Sequence, residues 1–329
     1  MILAQIELRN IRKIFSISVR PEGRFGVLRG ALFRHRKIIQ ALDGITFDIE
    51  AGELVGYIGP NGAGKSTTVK IMSGILTPEE GTCLIMNRVP WRERVRHVSR
   101  IGVVFGQRTQ LWWDLPVRDS FDLLKDIYSI HPTDYNKRLK ELAESLDLGP
   151  LLTTPVRQLS LGQRMRCEIA AALLHSPDIL FLDEPTIGLD AVSKLALRSF
   201  LKRENKEKGI TMILTTHDMD DVESLCSRVM VIGHGKLLFD GQLQRLKQLY
   251  APLRSIRAVL TEPVREFHLD GAESIQVDGN VWTVLFDPQK VGAHVMVERL
   301  AHSLPLRDVE IRDQDIDEII AAMYQEMQI

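Results

Sequence analysis

The sequence predicts an α/β fold built on a largely buried sheet and joined to a smaller α+β domain. Three observations carry this. Short apolar runs alternate with longer amphipathic stretches from Ala41 to about Gly241. A glycine-rich loop, Gly59 to Thr67, sits between a strand pattern and a helix pattern. After Gly241 the composition shifts and a second set of strands begins.

Taken in order, Ala51 to Ile58 ends in Leu54-Val55-Gly56-Tyr57-Ile58, a buried-strand pattern, and Ser66 to Ile75 reads as a helix. Between them lies Gly59-Pro60-Asn61-Gly62-Ala63-Gly64-Lys65-Ser66-Thr67, of the form G-x-x-x-x-G-K-[ST]. A polyphosphate needs many backbone N–H donors turned inward, and glycine lets the chain curl that tightly. Lys65 supplies a positive charge for the β- and γ-phosphates, the Ser66 hydroxyl is placed to ligate Mg²⁺, and the helix N-terminus adds its dipole. A glycine turn that binds nothing would need neither the Lys-Ser pair nor the strand-loop-helix setting.

Arg100 to Phe105, Asp178 to Leu182, Thr211 to Thr215 and Arg228 to Ile232 read as further strands, and Val117 to Leu148 as a mostly helical insert. Ile179-Leu180-Phe181-Leu182-Asp183-Glu184-Pro185 ends a hydrophobic strand in two carboxylates, at the sheet edge where α/β proteins bind ligands. Asp183 suits a Mg²⁺ shell, and Glu184 suits the orientation or deprotonation of a water attacking the γ-phosphate. Beyond Gly241, Ser255 to Leu260, Glu273 to Val277, Val281 to Phe286 and Arg307 to Ile311 read as strands, and Val291 to Ser303 and Asp315 to Met327 as helices. Leu249 to Leu253, with Pro252, reads as the linker, which divides the chain into 1–248 and 249–329.

Bulk properties narrow the function. With 329 residues, 44% of them hydrophobic, the chain is no disordered polypeptide. Forty-two Lys and Arg against 43 Asp and Glu give a net charge of -1, so nothing global draws it to nucleic acid. Cys83, Cys167 and Cys226 are widely spaced and read as core residues of a protein in a reducing compartment. No apolar run reaches the roughly 18 residues of a membrane span, and Glu7, Arg9, Arg12 and Lys13 come too early for a signal peptide. The expectation is a cytosolic chain that serves a membrane, if at all, through a partner.

Leu159-Ser160-Leu161-Gly162-Gln163 precedes the acidic strand, Gln107 follows a strand, and Gly188-Leu189-Asp190 and His217 follow the acids. This ordered set, with the glycine loop, resembles the ABC ATPases over about residues 41 to 241. The resemblance implies a nucleotide-binding domain with a parallel-sheet core, an antiparallel β subdomain and a helical insert at about 111–175. It implies ATP and Mg²⁺ as ligands, Ser66, Gln107 and Asp183 on the metal, and Glu184, Gln107 and His217 as catalytic. Ser160, Gly162 and Gln163, with Asp190, would close over ATP held by a second ATP-binding subunit, each site being built from both chains. Where the family most often has glycine this chain has Leu161, and if that position needed a positive φ, closure would weaken. Phe15 is the candidate for stacking on adenine.

The residues around Gly59 to Thr67 and Asp183 to Asp190, with the small C-terminal domain, look most like the ATP subunits of ABC-2 type exporters of drugs, polysaccharides, lipids or sodium. This implies integral-membrane permease partners that bind the transported substrate, and a place on the inner face of the cell membrane. Trp112 and Trp113 read either as anchors for a permease helix or as core residues of the insert. The basic stretch at about 16–40, with Arg20, Arg24, Arg29, Arg34, Arg36 and Lys37 around Phe25, Leu28, Leu32 and Phe33, reads either as an amphipathic helix on a membrane or permease, or as a solvated hairpin. Two other readings, an importer's ATPase and a non-transport ABC ATPase on ribosomes or DNA, stand beside export. The second is disfavoured by the single copy of each motif, the short insert and the balanced charge. A dead regulatory module is disfavoured by the presence of Lys65, Glu184 and His217.

Overall fold

The computed structural model describes residues 4–19, 35–106, 108–216, 218–250, 253–264, 268–313, 319–320 and 323–324. Gln107, His217 and the middle of the basic stretch, 20–34, lie outside the described residues. The chain divides into two compact units, Met1–Gly241 and Gln242–Ile329.

The first unit runs β1 (Ile6–Val19), β2 (His35–Ile49), β3 (Leu54–Ile58), α1 (Lys65–Met72), β4 (Glu80–Ile85), α2 (Arg94–Val98), β5 (Ile101–Phe105), α3 (Val117–Ile127), α4 (Pro132–Ser145), α5 (Leu161–Leu173), β6 (Ile179–Asp183), α6 (Ala191–Lys208), β7 (Thr211–Thr215), α7 (Met219–Leu225), β8 (Arg228–Gly233) and β9 (Lys236–Gln242). Six strands form a sheet in the order β5-β6-β7-β3-β8-β9. The pairs β5/β6, β6/β7, β7/β3 and β3/β8 are parallel. Every residue of β3 and β7 is buried, which is why these strands read as unbroken apolar runs: both faces of the sheet are covered. A three-stranded antiparallel sheet, β2-β1-β4, shares its core, with Ile6, Leu8, Leu42 and Phe47 packed in one cluster with Tyr57, Phe181, Ile213 and Met230.

β1 and β2 stay paired as far as Val19 opposite His35. The flanks of the basic stretch, 16–19 and 35–40, are therefore strand and belong to a long hairpin, while the helix face drawn through Phe25, Leu28 and Leu32 lies outside the described residues. α1 is shorter than the predicted Ser66 to Ile75. Gly74, at φ 75, turns the chain, and the amides of Ser73 and Gly74 close the last turn on Val69 and Ile71. In the insert, Arg138 of α4 donates to Glu204 of α6 at 2.6 Å and to the Leu173 carbonyl at the end of α5 at 3.2 Å. Both side chains are buried, so the pair fixes the geometry of three helices more than it adds stability. The three cysteines are buried and unpaired.

The second unit begins with α8 (Leu243–Tyr250), followed by β10 (Arg254–Leu260), β11 (Ala272–Asp278), β12 (Val281–Phe286), α9 (Ala293–Ser303) and β13 (Leu306–Asp313). Its four-stranded sheet has the order β11-β12-β10-β13, all antiparallel. Alternate residues Ile256, Ala258, Leu260, Trp282, Val284 and Phe286 bury one face against Met296 and Leu300 of α9. The predicted linker at Leu249 instead opens inside α8, because Leu243 and Leu246, one turn apart, are buried and hold the helix. Of the predicted helix over Asp315 to Met327, residues 319–320 and 323–324 are helical and the rest lie outside the described residues. Among the described residues no helix is long and apolar enough to cross a membrane.

Candidate functional site

A cavity of about 450 Å³ opens over the glycine loop and the C-terminal ends of β5 and β6. Its lining includes Pro60, Asn61, Gly62, Gly64, Lys65, Ser66 and Thr67 from the loop, and Asp183 and Glu184 from the acidic strand end. Gly64, at φ 113, caps α1; a Cβ there would lie 2.6 Å from Leu42 Cδ2 and 2.7 Å from the Ala41 carbonyl. Only glycine lets the loop press against β2 in this way. The Lys65 amine donates to the carbonyls of Gly59 at 2.6 Å and Pro60 at 3.1 Å. Burial pulls its pKa below the ordinary lysine value, opposed by the nearby charges of Glu184 and Asp183.

Sheet register assembles the acidic side. Asp183 stands opposite Phe105 in β5 and Thr215 in β7. Ser66 Oγ donates to Asp183 Oδ1 at 3.2 Å, and the Thr215 hydroxyl donates to the same oxygen. The Gly106 amide donates to the Asp183 carbonyl at 2.8 Å. Glu184 follows with φ 57, a left-handed conformation that a carboxylate side chain adopts at a cost, and its amide donates to the Thr215 carbonyl at 2.9 Å. The turn brings both Asp183 and Glu184 to the cavity. A glycine cradle with a lysine fits a polyphosphate, and a hydroxyl beside a carboxylate oxygen is a hard-oxygen pair that fits Mg²⁺.

Other predicted residues fall around this cavity. Phe15 does not line it, but it stands directly opposite Ile39, which does; Ile39 and Ile75 are apolar members of the lining. Lys13 lies 5.5 Å from the centre of the Phe15 ring. The loop that holds His217 is fixed on either side. Asp221, wholly buried, accepts from Arg198 Nε at 2.6 Å, from Thr216 Oγ1 at 3.3 Å and from the Thr186 hydroxyl. Asp218 accepts from Arg198 at 3.3 Å and from Lys194.

Ser160, Gly162 and Gln163 do not line the cavity; within one chain they stay apart from it. Ser160 caps α5 through a reciprocal box in which Gln163 N donates to Ser160 Oγ at 3.2 Å and Ser160 N donates to Gln163 Oε1 at 2.9 Å. Asp190 caps α6, accepting from the amide and hydroxyl of Ser193 at 2.9 Å each, and these bonds hold its carboxyl below the usual range. The concern over Leu161 does not arise: it stands in the first turn of α5 and has no positive φ. Its side chain instead covers Gly188, where a Cβ would overlap Leu161 Cδ2. Trp112 and Trp113 are 39% and 50% exposed, which removes the core reading, while Leu111 beside them is buried.

Reading the sequence missed Thr215, Asp221 and Glu168. Thr215 was accessible in principle, since parallel pairing of two strands ending at Asp183 and Thr215 places them side by side. Glu168, buried within α5, accepts from Thr109 and from the Gln110 amide at 3.2 Å; its spacing carries no local signal.

A protein-family model described as "ABC transporter" matches residues 42–187. The chain is 30% identical over 211 residues to the ABC transporter ATP-binding protein NatA of Bacillus subtilis (strain 168), covering 64% of this chain and 85% of NatA. It is 27% identical to the Linearmycin resistance ATP-binding protein LnrL of the same organism, over 84% of this chain and 91% of LnrL. It is 34% identical to the Methionine import ATP-binding protein MetN of Geobacillus kaustophilus (strain HTA426), over 62% of this chain and 61% of MetN. Among solved structures, the dimeric ATP-binding cassette MJ0796 bound to ADP and Pi superposes with a TM-score of 0.60 at 27% identity, over 72% of this chain and 98% of that chain.

Proposed function

The chain belongs to the ABC transporter ATP-binding proteins and is an ATPase of that family, and we propose that it is the ATP subunit of an ABC-2 type exporter that works as a homodimer against a separate permease. The observation that carries the reading is the division of the site: Lys65, Ser66, Asp183 and Glu184 converge on one cavity, while Ser160 presents a capped helix N-terminus elsewhere on the surface. A second copy, facing the first, brings that N-terminus to the open side of the cavity as a further anion site.

In this reading the glycine loop and Lys65 hold the phosphates, and Ser66 and Asp183 hold Mg²⁺, which polarises the phosphates when bound. Thr215 keeps Asp183 oriented by donating to one of its oxygens. Glu184, aimed by its left-handed backbone, orients the attacking water and takes its proton. Gln107 and His217 report the γ-phosphate, and Phe15 backs the base beside Ile39. Exposed Val192 and Leu195, one turn apart at the start of α6 beside Asp190, give the dimer seam apolar surface.

Export is supported by the similarity to the linearmycin resistance protein LnrL, which covers 84% of this chain and so extends past the cassette. Exposed Trp112 and Trp113 are the anchors for a permease helix. The test is co-purification with a membrane partner followed by a search for solutes that stimulate ATP hydrolysis. Trp112→Ala with Trp113→Ala should release the partner and leave hydrolysis by the isolated chain intact; retained co-purification would remove the anchors. Uptake rather than efflux in vesicles of defined orientation would replace export by import.

A further inference from the structure

The loop after β5 carries a cation that no family motif assigns. Arg108 lines the same cavity as Lys65, Ser66, Asp183 and Glu184, and no ion pair joins it to a described carboxylate. Described residues near it on both sides are tied to the fold. Before it, Gly106 is locked to the acidic strand: its amide donates to the Asp183 carbonyl at 2.8 Å, and a Cβ there would meet the Glu184 carbonyl at 2.5 Å. The Arg108 amide closes a turn on the Phe105 carbonyl at 3.0 Å. Immediately after it, Thr109 and the Gln110 amide bind the buried carboxylate of Glu168, and Gln110 Nε2 returns a bond to the Glu168 carbonyl at 3.0 Å. An exposed guanidinium thus stands at the acidic end of an anion cavity, between Gly106, tied to the acidic strand, and the Thr109-Gln110 pair, tied to Glu168.

Charge points the same way. Lys65, Lys70 and Arg108 share the lining with Asp183 and Glu184, so that with Arg108 the charged side chains of the cavity sum to net positive. Lys65 is committed at the loop, and Lys70 lies in the last turn of α1. We propose that Arg108 binds the terminal phosphate of the bound nucleotide, so that the loop distinguishes a triphosphate from a diphosphate. A planar guanidinium reaches two phosphate oxygens at once, and such charge-assisted pairs are among the stronger polar contacts.

This rests on the ATP-binding reading, and the test separates the two. Mg²⁺-ATP and Mg²⁺-ADP affinities are measured by calorimetry for the wild type, Arg108→Gln, Arg108→Lys and Lys65→Ala, with thermal unfolding to confirm that each is folded. Arg108→Gln should weaken ATP about tenfold and ADP less than about twofold, with Arg108→Lys in between. Equal losses for both nucleotides, or none for either, would overturn the proposal while leaving the cavity's role intact. A folded wild type that binds neither nucleotide, or a Lys65→Ala chain that binds both normally, would instead remove the ATP-binding reading beneath it.

Discussion

Asp221 makes the most demanding test of how the fold holds the segments on either side of His217. Its carboxylate has no exposed surface and joins three segments: Thr186, two residues past Glu184; Arg198 in α6; and Thr216, next to His217. In Asp221→Ala the hydroxyls of Thr186 and Thr216, both buried, lose their acceptor, and Arg198 keeps only Asp218 at 3.3 Å. Two stranded hydroxyls and a weakened, partly buried cation together cost about 3–5 kcal/mol. For a unit of this size that is a fall in Tm of roughly 6–20 °C. Asp221→Asn keeps one acceptor oxygen and should lose about half as much. Urea unfolding of the full chain gives the free energies, and ATP turnover should fall further than ATP binding, because the phosphate loop is untouched while the His217 segment is released. If Asp221→Ala unfolds within about 1 kcal/mol of the wild type, or if its loss adds independently to that of Arg198→Ala, the three segments are not coupled through this carboxylate and the reasoning fails.

Other expectations follow from the same geometry. Glu184→Gln should cut turnover by about 10²–10⁴ and leave ATP affinity within about threefold, as read by steady-state hydrolysis and calorimetry; normal turnover would take Glu184 out of the reaction. Burial pushes His175, stacked at 4.0 Å on Tyr128 and bonded to the Ile101 carbonyl, down to about 4 from 6.5. The unfolded chain therefore binds the proton first as pH falls. The stability held above pH 6.5 is lost progressively toward pH 4, by roughly 3 kcal/mol at most, and urea midpoints of His175→Gln should show a flatter profile across that window. Gly188→Ala places a Cβ at φ 69 against Leu161 and should cost about 1–3 kcal/mol; adding Leu161→Ala should recover part of it in a double-mutant cycle, and strict additivity would show that the two do not meet.

What was legible in the sequence was local. The glycine loop declares itself because phosphate binding, tight curvature and a helix start all act within nine residues, and β3, β5, β6, β7 and β8 declare themselves because strands buried on both faces have no polar period to obscure them. The acids were legible as the end of such a strand. Contacts set by register or by packing between distant segments were not. Thr215 reaches Asp183 only because β6 and β7 pair, and Asp221 serves Thr186 and Arg198 across more than twenty residues. Leu161 was read against glycine in isolation, whereas its environment is decided by Gly188, a neighbour brought by the fold. Leu249 and Tyr250 continue α8 because Leu243 and Leu246 hold that helix, a packing contact that Pro252 nearby does not announce.

The division of one site between two chains can be measured by complementation. Lys65→Ala removes the phosphate-loop half and Ser160→Arg blocks the helix N-terminus, so each variant alone should hydrolyse almost no ATP. Mixed, they form dimers in which one site pairs an intact Lys65 with an intact Ser160, and activity should return to a substantial fraction of the wild type. A mixture no more active than its separate components, or a Ser160→Arg chain that is fully active by itself, would contradict the shared site.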